Sequence, residues 1–284
     1  MTHKKQIQKY FGKKYINLLK TSLVNKVSEE RKDFVRNNLI KTKKKLNILE
    51  IGSGDGKLLK EFRKFIKTGI GIDISKSMAD FSNKENKSKN IKFHQGDILT
   101  YKSDIKFDYI IAIGLIEYLK REKLIFFFKK IFNLLKINGV FLFTSRNRLF
   151  NILSLNNFTK NEIQNKTFKF LLEECILTSN TNIDQFIKKN KNLFKVNNFK
   201  KNLITDIMVN KREQYTPGQI ASLIKNNTKF KIKDIEPLNL HLFNNSTHNL
   251  DTKTNKIILK KIKSKNNKMA LLPNSSAFGI KLVK

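Results

Sequence analysis

Leu49–Gly56 reads LEIGSGDG: an apolar run leads into three glycines on alternate positions, with Glu50 two residues before the first. A strand that breaks into glycines and restarts as a helix makes a nucleotide cradle, because glycine lets the backbone turn sharply and approach a ligand closely. The dinucleotide version places its third glycine one residue later, in the pattern G-x-G-x-x-G. Here Gly52, Gly54 and Gly56 alternate, and Lys57 occupies that later place. The spacing alone does not choose among the cofactors such a loop can hold.

Working outward, Leu46 to Ile51 reads as a strand and Lys57 to Ile66 as a helix with Leu58, Leu59, Phe62, Phe65 and Ile66 inward. Gly69 to Ile74 is a second strand. Asp73 near its end lies 17 residues past Gly56, where a carboxylate can accept both hydroxyls of a ribose. Ser75 is an N-cap for a helix to about Asn86. Ile91 to Gln95 is a third strand. Asp97 follows it in HQGDIL, placed to bond an exocyclic amine while Ile98 packs on the base. Phe107 to Ile113 is a fourth strand, Arg121 to Lys136 a helix, and Val140 to Ser145 a fifth strand. Strands bridged by helices of this length imply parallel βαβ units in a right-handed, doubly wound sheet.

Taken together, LEIGSGDG, GIDIS, GDI and FDYIIAIGLIEYL resemble the class I S-adenosylmethionine-dependent methyltransferases. The resemblance covers roughly Leu46 to Ser145, with weaker agreement from Thr216 to Lys284. It implies S-adenosylmethionine as cofactor, with Glu50, Gly52, Gly54 and Gly56 shaping the methionine end. Asp73 would hold the ribose, Asp97 and Ile98 the adenine, and Ile113 and Gly114 the region near the sulfonium. It also implies an α/β, Rossmann-like sheet of seven strands in the order 3-2-1-4-5-7-6, strand seven antiparallel. No metal is implied.

The chain divides into an N-terminal helical cap (1–45), the cofactor-binding core (46–145), a helical insertion (146–215) and a completing segment (216–284). The cap is expected to hold helices Lys4 to Lys20 and Glu29 to Ile40, and the insertion a capping box at Thr159 and Glu162. Thr216, Pro217 and Gln219 start a helix to about Asn226. Phe230 to Ile235 and Ala277 to Val283 are the last strands, with a long loop, Glu236 to Ser276, between them. Ligands in open α/β sheets bind at the carboxyl ends of the parallel strands. The insertion and this loop both leave from that edge, so both are expected over the cofactor as acceptor pocket or lid.

Candidate bases for a hydroxyl acceptor are His241 and His248 on that loop and Tyr118 beyond strand four. Arg146 and Arg148 follow strand five in an arginine-poor chain, and Arg212 and Tyr215 close the insertion. Each is a candidate for holding an acceptor group or for anchoring the lid. The segments SRNRLFNILSLNNFTKNE, QYTPGQIASLI and LLPNSSAFGI are similar to small-molecule O-methyltransferases of the ubiquinone-biosynthesis type and to bacterial enzymes acting on surface-polysaccharide or lipid precursors.

The formal charge of +35 raises a nucleic-acid reading. Lys, Asn, Ile and Phe are abundant and Ala, Gly, Pro and Trp scarce, as A/T-rich codons produce, and Arg is rare beside Lys. Position AIGLIEY lacks the Asn/Asp-Pro-Pro-aromatic run of base-amino methylation, and the single Cys175 is not beside strand four or five, as cytosine-carbon methylation requires. Methylation of RNA sugar or backbone stays open, as does a non-catalytic module that binds the cofactor. The expected acceptor is a small molecule methylated at a hydroxyl.

No run approaches the roughly 18 apolar residues of a membrane span, and the N-terminus lacks the apolar h-region of a secretion signal. With one cysteine, the expectation is a cytoplasmic protein. Met1 to Ser28 carries seven Lys and no acid. Tyr10, Ile16, Leu19, Leu23 and Val27 fall near one face of it, which suits either a helix covering the core or peripheral contact with a membrane.

Overall fold

In the computed structural model the described residues are 3–12, 15, 22–39, 44–190, 212–241, 261 and 267–284. Two N-terminal helices, α1 (His3–Tyr10) and α2 (Ser22–Asn38), precede a run of alternating strands and helices: β1 (Leu46–Ile51), α3 (Lys57–Glu61), β2 (Ile66–Asp73), α4 (Lys76–Lys84), β3 (Ile91–Gln95), β4 (Phe107–Ala112), α5 (Leu124–Leu134) and β5 (Leu135–Arg146). Helices α6 (Asn157–Gln164), α7 (Phe168–Ser179) and α8 (Ile183–Lys189) follow, then α9 (Pro217–Asn227), β6 (Lys231–Leu240) and β7 (Ser275–Val283). The strands form one sheet in the order β3-β2-β1-β4-β5-β7-β6. The first five strands are mutually parallel, and β7 runs antiparallel to both β5 and β6. This is the Rossmann-like methyltransferase fold that the sequence resemblance implies.

The strand pattern explains why helices cover both faces. Side chains alternate across a strand. Leu49, Ile51, Ile110, Ala112, Phe141 and Phe143 pack into one buried cluster with α5 and α9. Their neighbours Ile48, Tyr109, Ile111, Val140 and Leu142 pack into the other with α2 and α3. Helix α2 comes unusually close to the sheet: a Cβ at Gly279 would lie 2.9 Å from the Phe34 ring.

Several boundaries differ from expectation. Ile66, expected at a helix end, opens β2 and pairs with Leu46, because α3 stops at Glu61 and a short 3-10 turn follows. Of the helix expected over Lys4 to Lys20, the segment His3–Tyr10 is α-helical and residues 13–14 and 16–20 lie outside the described residues; the second helix begins at Ser22, not Glu29. Strand β5 begins at Leu135, which pairs with Phe107, so the helix expected to Lys136 stops two residues earlier at Leu134. Strand β6 runs on through Pro237 to Leu240, which its outermost position permits, since an edge strand tolerates a missing N–H. The capping box expected at Thr159 and Glu162 is made one turn earlier, with Asn156 as N-cap and Thr159 at its third position. Glu162 instead receives Arg148. The box at Thr216 and Gln219, with Pro217 at the first turn, is present. Among the described residues no helix is long and apolar enough to cross a membrane.

Gly279→Ala is expected to drive Phe34 from the sheet and cost about 1–3 kcal/mol, as overpacking a tight core does. Urea unfolding measures it, and a wild-type midpoint in the variant would contradict this packing.

Candidate functional site

A cavity of about 650 Å³ opens at the carboxyl ends of β1 to β5, within the range of small-molecule sites. Its floor is the LEIGSGDG turn. Gly52, Gly54 and Gly56 all have left-handed φ (69°, 51° and 66°), so the alternate spacing is a backbone requirement. The Gly52 and Ser53 N–H groups donate to Ile72 O at 2.8 and 3.1 Å, which ties the turn to β2. A Cβ on Gly56 would strike Phe93 at 2.4 Å, whereas one on Gly54 would meet nothing within 4 Å. Gly56 is thus fixed by packing beneath, and Gly54 leaves open space above.

Asp73 sits at the centre. Its Oδ2 accepts from Gly54 N (3.0 Å) and its Oδ1 from Ser75 N (2.8 Å), so one carboxylate joins the glycine turn to the start of α4. Burial pushes its pKa up, and the two backbone donors oppose that. Each oxygen keeps a lone pair, and the side chain lines the cavity. Glu50 is 5% exposed, lines the same cavity, and its Oε2 has no partner. Burial and then the neighbouring Asp55 push it up to about 8, against the Leu59 N–H. Asp97 lines the cavity with its Oδ2 paired to Lys4 at 2.9 Å and its Oδ1 accepting from Leu99 N. Ile98, 4% exposed, and Ile113 and Gly114 complete this end.

The far end is built from β4, β5 and α2. Tyr118, Arg146 and Arg212 line it, together with Arg31 and Glu117, which the sequence reading missed. Arg212 Nη1 donates to the Tyr118 hydroxyl at 3.4 Å, and Arg31 Nη1 lies 3.5 Å from Glu117 Oε1. Burial, then the Arg212 guanidinium, bring Arg146 down to about 10. Burial and then Glu117 push Tyr118 above the usual phenol value, while Arg212 works the other way. The only signal for Arg31 was its being an arginine in a lysine-rich chain.

Other candidates lie off the cavity. Arg148 forks onto Glu162 at 2.8 and 2.6 Å and reaches Thr167, anchoring α6 and α7. Tyr215 is buried beside β5, bridging to Asn147, and its hydroxyl has no partner. His241 stacks on Phe150 and shares a 3.0 Å hydrogen bond with Ser276, so Ser276, not the imidazole, meets the cavity. His248 lies outside the described residues.

The insertion reaches the cavity through Arg146 and Arg212 and the loop through Asn239 and Ser276, while residues 191–211, 242–260 and 262–266 lie outside the described residues. Among the described residues α6, α7 and α8 contribute nothing to the lining; Ile7, Tyr10, Phe11 and Tyr15 do. Helix α1 is pinned there by Gln8 on Ile74 O (3.1 Å), by Ser75 Oγ on Phe11 O (2.8 Å) and by Lys4 on Asp97. Of the apolar stripe expected on the N-terminal segment, only the Tyr10 side chain falls among the described residues.

Residues 48–139, about a third of the chain, match the methyltransferase-domain family. Over those residues the chain carries a methyltransferase domain. Its cofactor is S-adenosylmethionine, and the residues present fit it: a carboxylate pair at Glu50 and Asp73, open space over Gly54, and an apolar wall at Ile98. No curated protein matches the methyltransferase. Among solved structures it is similar to magnesium protoporphyrin IX methyltransferase from Synechocystis PCC 6803 with bound S-adenosylhomocysteine, at 10% identity, TM-score 0.57 and full coverage of both chains. An S-adenosylmethionine-dependent methyltransferase from Mesorhizobium loti gives 13% identity and TM-score 0.54, covering 89% of this chain and 96% of that one. Phosphoethanolamine N-methyltransferase 1 from Haemonchus contortus gives 16% and 0.46, over 52% of this chain; the methyltransferase spans about a third of that protein's length.

The raised Glu50 value makes a signed pH prediction. An acid whose folded value rises from 4.5 to about 8 favours folding below 4.5, and that contribution is lost as pH climbs through 8. Thermal unfolding without cofactor should therefore show wild type losing more stability between pH 5 and 8.5 than Glu50→Gln. Parallel curves would contradict it.

Proposed function

We propose that the methyltransferase acts on a small molecule at a hydroxyl. The observation that carries this is the aromatic wall at the far end of the cavity, where Phe11 meets the Tyr118 ring edge-on at 5.4 Å. Aromatic side chains of the N-terminal segment stand over it, so the acceptor enters a pocket and not a groove open to a nucleic-acid strand. The similarity of SRNRLFNILSLNNFTKNE to small-molecule O-methyltransferases supports the same acceptor class. Of the lysines only Lys32 lines the pocket among the described residues, and the codon-bias account of the others needs no RNA. Cys175 is buried and free, which suits a reducing compartment, and we place the reaction in the cytoplasm.

When bound, S-adenosylmethionine supplies an already activated methyl group on a sulfonium. The chain's own residues then have a positioning task, and alignment of this kind is worth on the order of 7–11 kcal/mol. Asp73 and the glycine turn fix the nucleoside, and Glu50, with its unpartnered Oε2, faces a cationic group of the cofactor. Glu117 takes the hydroxyl proton. Its Oε2 is buried without a partner, it lines the acceptor end, and Arg31 holds its other oxygen. Tyr118, whose pKa is raised, stays protonated at neutral pH and donates a hydrogen bond to the acceptor. His241 positions the Ser276 hydroxyl from behind.

Radiolabelled methyl transfer from S-adenosylmethionine into a fractionated cell extract tests this reading. Label should appear in the low-mass fraction, disappear with Asp73→Ala, and fall by about 100-fold in initial rate with Glu117→Gln, the size of a general-base contribution. Label in the RNA or protein fraction would overturn the small-molecule reading, and a wild-type rate in Glu117→Gln would remove the base.

A further inference from the structure

The acceptor end of the cavity holds more positive charge than the chain neutralises. Seven arginines stand in this sequence, against a background in which lysine is the common cation. Arg36 is engaged by Glu29, Asp33 and Glu61, and Arg148 by Glu162. Three others, Arg31 on α2, Arg146 at the end of β5 and Arg212 ahead of α9, converge on this one cavity. Three separate elements thus deliver the same group to one place.

Among the described residues each of the three keeps a buried N–H without a partner: Arg31 Nε, Arg146 Nη1 and Arg212 Nε. The carboxylate among them, Glu117, reaches Arg31, and among the described residues no carboxylate forms an ion pair with Arg146. Burial first, then the Arg212 charge and, against the opposing Glu117, the Arg31 charge lower the pKa of Arg146, so the guanidiniums repel one another across the space they enclose. A buried, uncompensated charge is among the more costly arrangements a fold can hold, and it persists where a bound partner completes it. A guanidinium also differs from an ammonium in kind. Its planar fork fits carboxylate and phosphate oxygens two at a time. The cofactor's own carboxylate offsets only one unit of that charge, and its ammonium and sulfonium bring further positive charge.

We propose that the methyl acceptor carries an oxyanion, a carboxylate or a phosphate, seated between Arg146 and Arg212 with the Tyr118 hydroxyl beside it. This rests on the small-molecule reading above. The anion fixes one end of the acceptor, so that its nucleophilic oxygen falls between Glu117 and the cofactor, and a neutral analogue lacks that anchor.

The test uses the protein saturated with S-adenosylhomocysteine, titrated with inorganic phosphate in one arm and malonate in another, at ionic strength held constant with chloride. Calorimetric binding of S-adenosylhomocysteine is measured separately, so failure of the cofactor reading shows there and not here. One anion or both should raise the unfolding temperature, by about 3 °C at ten times the dissociation constant. The arm that responds identifies the anion. Arg146→Gln and Arg212→Gln should abolish the rise, and Lys87→Gln, which removes one exposed charge elsewhere, should keep it. Without anion, Arg146→Gln should be at least as stable as wild type, because it relieves repulsion. No rise with either anion, a rise that survives Arg146→Gln, or a less stable anion-free Arg146→Gln would each overturn the proposal.

Discussion

The Asp73 carboxylate holds the functional edge of the sheet together. One oxygen takes the Gly54 N–H and the other the Ser75 N–H, so a single side chain fixes the turn after β1, the end of β2 and the first turn of α4. Hydrogen bonds to a charged acceptor are worth about 1.5–3 kcal/mol each, more than their neutral counterparts. Beneath them the Phe93 ring fills the space against Gly56 and Gly71, where a Cβ on either would lie within 2.5 Å of it. The turn is therefore gripped from below by packing and from the side by charge. What remains open, above Gly54, is the space a nucleoside requires.

From that fixed edge the cavity divides by charge. Glu50, Asp55, Asp73 and Asp97 stand at the end formed by β1, β2 and β3, and Arg31, Arg146 and Arg212 at the end formed by β4, β5 and α2. A cationic cofactor fits the first end, and the second repels it. On the proposed reading, orientation of the cofactor and selection of the acceptor come from one gradient, set by which strand end carries which residue. Helix α1 encloses the result, through Gln8 and Lys4 on the acidic end and aromatic side chains along the cavity wall.

Much of this was legible in the residues. The near-continuous apolar runs of β1, β4 and β5 show strands covered on both faces, and the order of elements follows from them. Gly52, Gly54, Asp73, Asp97 and Ile98 fall in one cavity because they sit at the carboxyl ends of adjacent parallel strands, a matter of spacing. What long-range packing decides was not legible. Ile66 reads equally well as the last inward residue of a helix, and only pairing with Leu46 makes it a strand. Arg148 and Arg146 are two residues apart on the same strand end, yet the buried Glu162 claims the first and leaves the second to the cavity. Arg31 lies 115 residues from Arg146 in sequence, and nothing local to EERKDFVRN says that α2 brings it there. Closure by α1 in place of the described insertion helices likewise depends on contacts between distant segments, Gln8 with Ile74 and Ser75 with Phe11.

A crystal structure with S-adenosylhomocysteine tests the central claim, that one polarised cavity both orients the cofactor and reserves a cationic pocket for the acceptor. The account predicts the ribose hydroxyls on Asp73 and the adenine against Ile98, with empty space left between the sulfur and the Arg146 and Arg212 guanidiniums. A cofactor lying in the opposite sense, or one whose amino-acid end fills the space between Arg146 and Arg212, would contradict it.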